Sequence, residues 1–308
     1  MKAVMYHYVR EFSAELPYFR FLDVTNFRKQ LLFFKKEYGF VERDEWLEFV
    51  CTGTMPAKQG KVLLTFDDAM SCHFNYVFPE LLDNGLWGIF YVPTNPYTTG
   101  KILDVHRIHL LCGAFRGDRL LEITRSLITH DMILDRKIKA FNMDTYTEQN
   151  NDIGVTEFKR LMNYYIDYQY REGIIDAIEN ELEFNRTADE FYVSLKKLSD
   201  MKGEGMIIGS HTDSHPVMSK LSYKKQLVEL QKSFSVLSDL TAGSPRTYCH
   251  THGEVHDFDS NTIKALKSCD VAYSFMVDHR EVLPKDFSHS KHQLPRYDCN
   301  YFKHGQIS

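Results

Sequence analysis

The stretch Lys61-Val62-Leu63-Leu64-Thr65-Phe66-Asp67-Asp68 decides the architecture. Its first six residues are nearly all apolar and β-prone, without the alternation of a half-exposed strand, so they predict a strand buried on both faces. The strand stops abruptly at two carboxylates. A helical pattern over about 78–84 closes at Gly85, and Trp87-Gly88-Ile89-Phe90-Tyr91-Val92-Pro93 is a further buried strand. Strand, helix and strand in close succession predict βαβ units and a parallel sheet.

The same grammar extends outward. Ala3-Val4-Met5-Tyr6-His7-Tyr8-Val9 predicts an opening strand. Val24 to Tyr38 predicts a helix with Thr25 and Asn26 as its caps. From about 105 to 198 the chain is charged and helix-periodic, with segments near 117–130, 131–141, 156–168, 170–184 and 188–201. Strands return at 205–209, 246–249, 271–275 and 293–298, with helices over about 222–240 and 258–268 between them. The domain reading is a barrel from 1–98 and 202–308, with a helical insertion over 99–201 that serves as a lid or a dimer arm. A homo-oligomer fits the second of these roles.

Composition limits the function. A chain of 308 residues with 43% hydrophobic residues, 22 Phe and 18 Tyr can bury a sizeable core. The net charge of −5 argues against a nucleic-acid partner, because phosphate neutralisation needs a basic surface. No run approaches the roughly 18 to 20 apolar residues of a membrane span. The N-terminal sequence lacks a signal-peptide pattern, and the cysteines at 51, 72, 112, 249, 269 and 299 contain no CxxC pair. Reduced thiols and a cytoplasmic location are the expectation.

Three strands end in polar clusters: Asp67-Asp68, Ser210-His211-Thr212-Asp213-Ser214-His215-Pro216, and His250-Thr251-His252. In a barrel of parallel strands these ends share one face, where such enzymes place their chemistry. Spacing alone is weak, since 14 His in 308 residues give about 0.6 His-x-x-x-His pairs by chance. Convergence is the stronger argument. Two histidines and a carboxylate at strand ends make the open three-ligand set that catalytic zinc prefers, and iron, cobalt and nickel also suit it.

Thr65-Phe66-Asp67-Asp68-Ala69 and Ser210 to Pro216 resemble the first two motifs of the polysaccharide deacetylases, the NodB-homology group. The resemblance covers about 1–95 and 203–298 and leaves the helical region unmatched. It implies an α/β fold, a distorted, partly open (β/α)7 TIM-like barrel. It also implies Asp67 as general base and one divalent metal, zinc first, held by Asp68, His211 and His215. The implied reaction is removal of an N-acetyl group from a sugar by metal-activated water, with an oxyanion held partly by a backbone N–H of the third motif.

Two departures from the family pattern stand out. The third motif, aromatic-Pro-aromatic-Gly in the family, reads Tyr248-Cys249-His250-Thr251-His252-Gly253. His250 and His252 are therefore catalytic candidates, and Thr251 is a candidate substrate contact. The family's C-terminal Leu-x-His acid is replaced by Leu294-Pro295-Arg296. Arg296 is expected to bind a carboxylate or phosphate of the substrate. The donor of the proton to the leaving amine stays open among His250, His252 and His292. His7 is expected near the barrel mouth as a substrate contact or behind the metal ligands. The expected substrate is an acetylated sugar or a lipid- or nucleotide-linked glycan precursor. Two alternatives remain at this point: hydrolysis of a non-sugar amide such as a cyclic ureide, and an inactive barrel that binds glycan.

Overall fold

The computed structural model describes residues 1–56, 58, 60–133 and 153–307. The chain divides into two units: Met1–Glu11, Phe21–Lys101 and Ala188–Ser308 form the first, and Phe12–Arg20 with Ile102–Thr187 form the second.

The first unit is a ring of seven parallel strands: β1 Lys2–Tyr6, β2 Val62–Asp67, β3 Ile89–Val92, β4 Ile207–Ser210, β5 Thr247–Cys249, β6 Tyr273–Val277 and β7 Leu294–Asp298. Spatial order follows chain order, and β7 returns to β1 through Val4↔Tyr297 and Met5↔Asp298. The (β/α)7 architecture expected from the sequence is present. Where a partly open ring was expected, the ladder closes, and its narrowest seam is the single pair Ser210↔Tyr248 between β4 and β5.

All six residues of β2 are buried, as its unbroken apolar run requires. Side-chain alternation splits the strands into two buried sets. Val4, Leu64, Phe66, Phe90 and Ile208 pack with the helix Val24–Glu37, whereas Ala3, Leu63, Ile89, Tyr91, Ile207, Phe275 and Leu294 pack with Trp46 and Phe49. Trp46 comes from a helix over Arg43–Thr52 that is not among the expected elements, and its indole N–H donates to the Tyr273 hydroxyl at 3.1 Å. Asp23 caps the helix Val24–Glu37 by accepting from the Thr25 amide at 2.8 Å, so the cap lies two residues before the expected one. Gly209 is required by space, because a Cβ there would lie 2.6 Å from the Tyr91 ring.

The second unit is helical. Asp104–Ala114, Gly117–Leu127, Ile153–Arg160 and Tyr168–Glu181 pack Ile108, Leu111, Leu120, Ile123, Phe158 and Ile178 into their own core. Arg171 pairs with Asp104 at 2.9 Å within this unit. The short helices Ala188–Phe191 and Leu195–Gly203, placed in the insertion by the sequence reading, group with the barrel instead. Most of the helical segment expected near 131–141 lies outside the described residues. Among the described residues no helix is long and apolar enough to cross a membrane, and no disulfide joins any of the six cysteines.

Candidate active site

Five residues without the freedom of glycine take left-handed backbone conformations in the loops that leave β2, β4 and β5: Asp68 (φ 79°), Ala69 (φ 49°), Thr212 (φ 66°), His215 (φ 55°) and His252 (φ 62°). Each costs roughly 1–2 kcal/mol and persists only where its surroundings over-determine it. For the β4 loop that support is visible. The Glu229 carboxylate accepts from the amides of Asp213 (3.1 Å) and Ser214 (2.8 Å) and from the Ser214 hydroxyl. The His215 amide donates to the Thr212 hydroxyl at 2.9 Å, and the Thr94 hydroxyl donates to Asp213 at 2.9 Å. Thr251 ties the β5 loop to the β4 loop by donating to the Pro216 carbonyl at 2.5 Å.

These loops bring Asp68, His211 and His215 together, all buried. Asp68 Oδ1 stands 3.6 Å from His211 Nε2 and 3.5 Å from His215 Nε2. Ligands at about 2.1 Å from a tetrahedral ion are about 3.4 Å apart, so the donor set has the size of a metal site. The imidazole of His211 is oriented for the task. Its Nδ1 donates to the Cys249 carbonyl at 2.9 Å, which leaves the Nε2 lone pair facing Asp68. Burial lowers the His211 pKa and keeps the ring in the neutral form that ligates. A second close triplet, Asp67, His211 and Cys249, is a poor cation site because the Arg296 guanidinium already lies against two of its members.

Asp67, the last residue of β2, is held by Arg296 of β7 through two parallel bonds: Nη1 to Oδ1 at 2.8 Å and Nη2 to Oδ2 at 2.7 Å. Burial alone would raise the Asp67 pKa, but the guanidinium outweighs it and holds the carboxyl below its ordinary value. Arg296 also donates to the Thr65 hydroxyl at 3.0 Å and is 1% exposed. The expected role of Arg296 as a contact for a substrate anion is therefore corrected. Its fork is occupied inside the barrel, because residues of β7 at this register point inward toward β2.

The histidines separate. His7 Nε2 lies 4.0 Å from Asp67 Oδ2, and the His7 side chain is 41% exposed. The His252 ring packs against His215 with centroids 4.9 Å apart. His250 is engaged apart from the candidate metal ligands. Its Nε2 meets the His292 carbonyl at 2.8 Å, its ring stacks on Phe258 at 3.9 Å, and burial pushes its pKa down to about 3. His292 is buried behind it, with a pKa lowered to about 4 by burial.

Sequence reasoning passed over His73, Cys249 and Glu229. His73 opens a π-helical turn, His73–Val77, and its Nε2 meets the His7 carbonyl at 2.6 Å. Such turns recur at functional sites, but no local sequence pattern announces one. Glu229 sits on the helix Tyr223–Val236, where a charged residue reads as solvated.

The model of the polysaccharide deacetylase family matches residues 176–274, which include His211, His215 and the β5 loop. No curated protein sequence matches the chain. Among solved structures it is similar to the Streptococcus pyogenes deacetylase PplD in complex with acetate, at 15% identity over 97% of this chain and 91% of that one, with a TM-score of 0.59. It is also similar to a de-N-acetylase from Aggregatibacter actinomycetemcomitans (12%, 96% and 93%, 0.52) and to the polysaccharide deacetylase BC0361 from Bacillus cereus (14%, 96% and 64%, 0.54). At these identities the likeness is one of fold. The motif resemblance read from the sequence stands with it.

Proposed function

We propose that this chain is a metal-dependent hydrolase that removes the acetyl group from an N-acetylated sugar or glycan precursor. One observation carries the reading: a donor set of metal-site dimensions, Asp68, His211 and His215, lies beside an ionised, buried carboxylate, Asp67. The family match over 176–274 and the deacetylase neighbours support the same reaction, and PplD holds acetate, the acid product expected here.

When bound, a divalent metal supplies Lewis acidity to the amide carbonyl and to water; zinc suits these N and O donors, as do iron, cobalt and nickel. The chain's own residues do the rest. Asp67 takes the proton of the attacking water on its carboxylate, and Arg296 fixes the plane of that carboxylate. The oxyanion is left to a backbone N–H of residues 251–253, since the His250 amide already donates to the Phe275 carbonyl at 3.0 Å. His7 is the donor to the departing amine. It is half exposed, stands 4.0 Å from the base, and so has access both to the proton and to the substrate side. His252 packs on His215, one of the proposed ligands.

The deciding experiment is acetate release from N-acetylated sugars, nucleotide sugars and oligosaccharides by metal-loaded protein, beside Asp67→Asn and His211→Ala. Release that disappears in both variants supports the reading. Ammonia or ring-opened product without acetate would move the chain to another amide, and bound metal without any turnover would make it a binding barrel.

A further inference from the structure

The third motif brings one more side chain to the centre. Cys249 ends β5 fully buried, with its Sγ 2.8 Å from Arg296 Nη2 and 3.5 Å from Asp67 Oδ2. One guanidinium N–H thus points at the sulfur, and the thiol has two acceptors at 3.5 Å, the Asp67 carboxylate and the His250 carbonyl, of which the ionised carboxylate is the stronger. With the thiol turned to Asp67, guanidinium, carboxylate and thiol form a ring of three contacts whose members come from β7, β2 and β5. The carbonyl of the same residue receives Nδ1–H of His211 at 2.9 Å. Cys249 therefore touches the base through its side chain and a metal-site histidine through its backbone.

A planar fork restrains a carboxylate within its plane but resists tilting out of it poorly. A third contact from a different strand removes that freedom. We propose that Cys249 is a positioning residue for Asp67, locking the carboxylate at the angle from which it reaches the attacking water; this rests on the deacetylase reading. The rival role, a metal ligand with Asp67 and His211, conflicts with the guanidinium lying against the sulfur.

The test uses the full, metal-loaded chain and its Cys249→Ala and Cys249→Ser variants on whichever acetylated sugar the wild type turns over. Expected for Cys249→Ala is a kcat lower by about 10- to 100-fold, the scale of a small misplacement, with KM and metal content unchanged. Cys249→Ser, which keeps a donor and an acceptor, should recover most of that loss. Wild-type kcat in Cys249→Ala overturns the proposal, and so does loss of bound metal in that variant, which would make the thiol a ligand. A wild-type chain that releases no acetate sinks the deacetylase reading instead, and a thermal cycle then decides the contact. Cys249→Ala should lower the melting temperature more in the Asp67 background than in Asp67→Asn, because only there does it break a bond to a carboxylate. Equal shifts in both backgrounds would overturn the proposal.

Discussion

Arg296 and Asp67, 229 positions apart in sequence, meet inside the barrel as a two-bonded ion pair, 2.8 and 2.7 Å, with both side chains buried. A pair of this kind costs desolvation on both sides, and breaking it leaves an uncompensated charge in the interior. Its value is orientation and ionisation of the Asp67 carboxylate.

Arg296→Gln should therefore destabilise the fold by about 3–5 kcal/mol, measured by urea unfolding at pH 7. The sign of the pH effect follows from the depressed Asp67 pKa. Such a carboxylate contributes stability above its unfolded pKa, and that contribution is lost as pH falls through the folded value. Without the guanidinium the folded pKa rises, so the acid limb of the kcat/KM profile should move to higher pH. An unmoved limb would mean that the limb reports another group.

Asp68→Asn, His211→Ala and His215→Ala should each reduce bound metal well below one equivalent per chain, and activity should fall with it. Chelation of the wild type should abolish acetate release, and zinc, cobalt or nickel should restore it to different extents. Retained metal in all three variants would place the metal elsewhere.

His7→Ala should lower kcat by about 10²–10⁴-fold, the range for a lost proton donor. The loss should shrink on an acetyl ester, whose leaving group needs less protonation than an amine. His252→Ala should show no such dependence on the leaving group; if it does and His7→Ala does not, the acid is His252.

Burial lowers the His73 pKa to about 4 from an ordinary 6.5. The folded state resists its protonation, so stability is full above about pH 6.5, falls between 6.5 and 4, and levels off below. The contribution is about 3 kcal/mol at 1.36 kcal/mol per unit. His73→Phe should flatten the loss of urea stability between pH 7 and 4 by about that amount, and an unchanged slope would assign the loss to other groups.

Gly209→Ala should cost about 1–3 kcal/mol, since the added Cβ would lie 2.6 Å from the Tyr91 ring and 2.7 Å from Thr247. Thermal unfolding reads this directly, and a wild-type melting temperature would show that the β3–β4 wall yields easily.

The sequence by itself determined the strands and the polar clusters at their ends. Continuous apolar runs such as Val62 to Phe66 are local signals, and three of the strands stop at polar clusters. Parallel topology then places Asp67, Asp68, His211 and His215 on one rim without any further information. What lay beyond reach was every relation set by register between distant strands. His250 and His252 look alike in a row, yet one turns onto Phe258 and the His292 carbonyl while the other meets His215. Arg296 reads as an exposed anion hook until barrel closure aims it at Asp67. The helix Arg43–Thr52 was missed because its amphipathic signal is weak, and its Trp46 gains meaning only from the barrel strands it packs against. Local hydrophobic period selects elements; only closure of the ring, which fixes which inward side chain faces which, decides that Asp67 is paired with Arg296.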